Sequence, residues 1–135
     1  MYLNKLNFEQ KNLFLNLGIL LTKADGKVTK EEEYIISQMC QEMSIEKKID
    51  CNLSVDEIIE KLSLISSVCE RKMIFIELVA IVMTDGLCDK EELYLIEKIA
   101  MKFNIDVLEI DKILKNVSDL YVIYGNFNSF INRVE

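Results

Sequence analysis

Two pairs of carboxylates recur at one spacing. Asp25 and Glu32 stand seven residues apart, and Asp85 and Glu92 repeat that spacing sixty residues further on. Carboxylate oxygens are hard donors, so these four, if gathered, suit calcium or magnesium rather than zinc or copper. The chain has no His, which removes the most common general base. Its cysteines, Cys40, Cys51, Cys69 and Cys88, are too scattered for a structural zinc site. No activating base sits at a recognisable spacing from a Cys or Ser nucleophile. A metal-assisted hydrolysis using the four carboxylates is the enzymatic chemistry left open.

The carboxylates lie in two segments that align at an offset of sixty. ADGKVTKEEEYII, residues 24–36, lies over TDGLCDKEELYLI, residues 84–96. Identities include Asp25/Asp85, Gly26/Gly86, Glu31/Glu91, Glu32/Glu92 and Tyr34/Tyr94. Helix punctuation explains most of them. Gly26 and Gly86 sit just past a helix end, where a left-handed residue is wanted. Thr29 and Asp89 read as N-caps, with Glu32 and Glu92 as their capping-box partners. Val28 and Cys88 read as anchors of the turn in the core. Asp25 and Asp85 are less well explained, because a carboxylate at a helix C-terminus faces the negative end of the dipole. Turn hydrogen bonding or a bound cation would each account for them.

The segments also look like the second half of a calcium-binding EF-hand loop. With Asp25 at loop position five, Gly26 and Glu32 fall at six and twelve, as required. Positions one and three would then be Leu21 and Lys23, and in the second copy Ile81 and Met83. None of these binds calcium, so an ordinary EF-hand is set aside. A cation would need ligands from both turns together.

The elements that must position these residues are helices. The chain has no Pro and four Gly in 135 residues, and its apolar spacing is helical. A short polar residue followed three positions later by Glu or Gln marks six starts: Asn7, Thr29, Ser54, Ser67, Asp89 and Asp106. The corresponding helices run to about Ala24, Met43, Leu64, Thr84, Phe103 and at least Tyr124. Gly125 and the Asn-rich segment after it are candidates for a break and a seventh helix. Apolar stripes fall at Tyr34, Ile35, Met39 and Met43, and at Leu93, Leu95, Ile96, Ile99, Ala100 and Phe103. The first and fourth helices are apolar on most faces and belong at the centre. Residues 44–52 read as irregular. The expected fold is all-α: one domain over residues 1–135, a compact bundle of six or seven helices with internal pseudo-two-fold duplication. Its repeat units span about 7–45 and 67–105, with a C-terminal helix over 107–132.

The net charge of −7 disfavours nucleic acid and anionic membrane surfaces and favours cationic partners. The longest apolar stretches, residues 13–21 and 73–83, are too short to span a bilayer. No signal peptide is recognisable, and the cysteines read as reduced, mostly buried thiols of a cytoplasmic protein. The tail aromatics Tyr121, Tyr124, Phe127 and Phe130 recur every three residues. That spacing fits a core-packed final helix better than an exposed interaction surface.

ADGKVTKEE, residues 24–32, resembles the signature of TerB-like domains, a family named after a tellurite-resistance protein. TDGLCDKEE, residues 84–92, falls where the second such motif is expected, with Thr84 for the usual Ala and Cys88 for the usual hydrophobe. The resemblance runs from about Asn7 to Phe103. It implies a compact helical fold with internal pseudo-symmetry. It also implies an acidic metal-binding cluster at Asp25, Glu32, Asp85 and Glu92. Related domains occur in tellurite and stress-response systems and in a membrane-anchored co-chaperone. The function expected is a non-catalytic module, a sensor or scaffold that binds a divalent cation, calcium or magnesium, and works through protein partners. The alternatives are a metal-free protein-interaction domain and a metal-assisted hydrolase.

Overall fold

Five helices begin where a side chain and a backbone N–H exchange hydrogen bonds. Asn7 with Gln10, Thr29 with Glu32, Ser54 with Glu57, Ser67 with Glu70 and Asp89 with Glu92 each form both bonds of a capping box. Each box satisfies amide groups that a helix N-terminus otherwise leaves unpaired. The computed structural model describes residues 1–48 and 52–134. Its helices are α1 (Phe8–Thr22), α2 (Lys30–Met43), α3 (Val55–Ile65), α4 (Val68–Val82), α5 (Lys90–Lys102) and α6 (Val107–Asn132). The fold is all-α, and no strand occurs among the described residues. Asp106 caps α6 differently from expectation: its carboxylate accepts from Leu108 N at 2.9 Å, not from Glu109 N. α6 also passes through Gly125 without a break, so the tail forms no separate helix.

The offset of sixty governs packing as well as sequence. On α2 the buried residues are Glu32, Ile36, Met39, Cys40 and Met43. Shifting each by sixty gives Glu92, Ile96, Ile99, Ala100 and Phe103, which are also buried. Both helices end on a left-handed residue, Ser44 at φ 57° and Asn104 at φ 58°. In both, the next amide reaches back into the last turn, from Ile45 to Cys40 O and from Ile105 to Ala100 O. α1 and α4 are central, as their apolar composition implies, with Phe14, Leu17 and Leu21 in one buried cluster with Phe75, Leu78 and Ile81. Gly18 lets the two helices approach closely: a Cβ there would stand 2.9 Å from Ile81 Cδ1. α1 packs on α5 while α2 packs on α4, the reciprocal pattern that an internal two-fold produces.

Several side chains depart from expectation. Tyr34 is exposed, and the true α2 stripe begins at the capping glutamate Glu32. Val28 is exposed, and only its counterpart Cys88 packs against the core. Tyr124, Phe127 and Phe130 are exposed, because α6 outruns the bundle. Tyr121 is half-buried and donates its hydroxyl to Ala80 O. Cys40 is buried and Cys69 exposed; Cys51 lies outside the described residues, as do Ile49 and Asp50 of the irregular stretch. Glu77 occupies the α4 position equivalent to Leu17 on α1. It is buried and meets the N-terminal ammonium at 3.3 Å, which also contacts Glu42 at 3.1 Å. Among the described residues, no helix is long and apolar enough to cross a membrane.

Candidate functional site

The two repeated turns are built alike. α1 and α4 end two residues earlier than the apolar pattern implies, and the chain turns through Gly26 (φ 80°) and Gly86 (φ 85°). Asp25 Oδ1 accepts from Lys27 N at 2.9 Å, and Asp85 Oδ1 accepts from Leu87 N at 3.0 Å. These are turns closed by the aspartate's own side chain. Turn hydrogen bonding thus accounts for the recurring aspartate in both copies. Two residues after those amides, Thr29 and Asp89 cap the next helices. Glu32 Oε1 returns to Thr29 N at 3.0 Å and Glu92 Oε1 to Asp89 N at 3.4 Å.

That return bond draws both glutamates inward. Glu32 is 5% and Glu92 4% exposed. Since each half's second helix packs on the other half's first, the two turns face one another across a cleft of about 440 Å³. Asp25, Glu32, Asp85 and Glu92 all line it, so the structure brings the four predicted residues together. Asp89 and the Cys88 thiol join them.

Inside the cleft the acids of the two halves are neighbours. Glu92 lies beside Glu32 and Asp89, and Asp25 lies beside Asp89, near enough for each carboxyl to act on its neighbour. Burial, and then Glu32 and Asp89 beside it, push Glu92 up to about 9. Asp89 is raised as well, first by burial and then, against the capping amide of Glu92, by Asp25. Asp25 moves the other way, because the Lys27 amide and then the Asp89 carboxyl both favour its ionised form. Glu92 therefore keeps its proton at neutral pH. Cys88 is pushed up to about 12 by burial and then by Glu92, Asp89 and Asp85, so its thiol is not a nucleophile there.

The sequence marks Asp89 only as a cap. Its signal lay in a difference between the copies, since an acid stands where the first copy has Thr29. Among the described residues, no three acidic or cysteine side chains are gathered tightly enough to hold a metal ion as they stand. In comparisons with protein-family models, with curated proteins and with solved structures, nothing matches the chain.

Proposed function

We propose that this chain is a non-catalytic cytoplasmic module of the TerB-like kind, a sensor or scaffold that takes a divalent cation between its two turns and works through protein partners. One observation carries the reading: Glu32 and Glu92, both buried, line one cleft together with Asp25, Asp85 and Asp89. Buried carboxyl groups that crowd one another hold either a proton or a cation. The donors are all oxygen, which favours calcium or magnesium. With fewer than three acids closely gathered, water and a small approach of the turns would complete the coordination shell. The tie to tellurite or stress-response systems rests on the resemblance of residues 24–32, with its degenerate copy at 84–92, to the TerB-like motif.

Calorimetric titration with calcium, magnesium and manganese, paired with thermal unfolding, tests the reading. The expected result is a saturable heat at neutral pH and a higher Tm, since a ligand of the native state stabilises it. Both effects should weaken at acid pH, where the proton takes the cation's place, and in Glu32→Gln. No heat and no change in Tm at millimolar ion would overturn it.

A further inference from the structure

We propose that the second half of α6 is a self-association surface, covered by the same segment of a second copy of this chain. α6 has 26 residues, roughly 39 Å at the usual rise. Its last core residue is Val117, and every residue from Val122 to Asn132 is exposed. On this projecting segment Ile123, Tyr124, Phe127, Phe130 and Ile131 follow i, i+1, i+4, i+7, i+8 spacing and so share one face. They are 47–71% exposed.

The segment is a poor helix on its own. From Val122 to Asn132 it has no buried face, and helices in proteins draw most of their stability from packing one. It also contains Gly125, Asn126, Asn128 and Asn132, all weak helix formers. Cover on the apolar face supplies the missing stabilisation.

Area and charge identify the cover. The face offers on the order of 600 Å² of apolar surface, close to the about 800 Å² that each partner gives to a standard interface. A groove of about 500 Å³ between α2 and α6 continues it, lined by Met39, Ala80, Val117 and Leu120, and shares Tyr124 with the tail. The two acids of that groove, Glu42 and Glu77, face the N-terminal ammonium. No charged residue occurs from Leu120 to Asn132. In a chain of net charge −7, this is the surface where two copies approach with least repulsion. A basic partner would find no acids on it, and an anionic membrane would find only Arg133 beside it. A two-fold pair sets the convex tail of each copy against the tail and groove of the other, which is the self-complementary form of an isologous dimer.

Sedimentation equilibrium of the full chain tests this. The expected mass is twice 15.7 kDa at high micromolar concentration, falling to the single mass on dilution. Phe127→Glu with Phe130→Glu should run as a helical monomer, as should the corresponding Lys pair. An equimolar mixture of the Glu and Lys variants should recover the double mass, a result that only association between copies produces. A wild-type chain of single mass throughout overturns the proposal, whether or not it binds neutral phosphatidylcholine vesicles. So does a Glu variant that keeps the double mass.

Discussion

Glu32 and Glu92 are buried in one cleft although sixty residues separate them. Each is held by the capping bond that starts its own helix. A local device, used twice and related by an internal two-fold, thereby creates a non-local approach of like groups. The approach is tolerable because Glu92 keeps its proton.

That proton makes stability depend on pH. Glu92 titrates at about 9 in the folded chain against an ordinary 4.5. Between those values the folded state holds a proton that the unfolded state has released. The contribution is therefore full below about pH 4.5 and is lost as the pH rises through about 9. Thermal melts across this range should show Tm falling as pH rises, and Glu92→Gln should flatten the slope. An unchanged slope in that variant would falsify the assignment.

Asp89→Thr separates the cap from the charge. Threonine caps the equivalent position in the first half, so α5 should keep its start. Removing the carboxyl takes one cause of the raised Glu92 value away. Carboxyl-carbon NMR should show Glu92 titrating at lower pH, with the helical signal intact.

Asp25 and Asp85 close their turns by accepting one backbone hydrogen bond each. Asn accepts the same bond, whereas Ala does not. Asp25→Asn and Asp85→Asn should melt near wild type, while the Ala variants should melt a few degrees lower. Equal losses in the Asn and Ala variants would mean that charge, not the turn, is the stabilising feature.

The thiols differ in reach. Cys40 is raised by burial and Cys88 lies at about 12, while Cys69 is exposed. Brief treatment of the native chain with an alkylating reagent should label Cys69 and leave Cys40 and Cys88 free until the chain unfolds. Peptide mass mapping reads the result directly.

Tyr121 ties α6 to α4 through its hydroxyl on Ala80 O. Its burial pushes the phenol up to about 12, with the nearby Glu77 adding to the effect. Tyr121→Phe should cost about 1 kcal/mol, measured by denaturant unfolding. A variant as stable as wild type would show that the bond contributes nothing.

Helix starts were legible in the sequence because a capping box is local: the residues that make it lie within four positions. Core membership was legible where apolar spacing was unambiguous, as at Ile96, Ile99 and Phe103. It failed at Tyr34 because the α2 stripe begins on a glutamate, and a charged residue is not counted into an apolar face. It failed at Phe127 and Phe130 because periodicity shows that a face exists but not whether anything covers it. The four predicted acids do share a cleft. Their approach across the halves, and the part played by Asp89, depend on how the halves dock, which no local pattern encodes.

The reciprocal contacts of α1 with α5 and of α2 with α4 also bear on how the molecule assembles. Core side chains of both halves form one buried cluster, so a half-length chain would leave part of that cluster open until it met a second half-chain. The covalent passage through α3 turns that encounter into an intramolecular one, at an effective concentration that short tethers raise to the millimolar range. Order in each half is thereby made independent of how much protein is present.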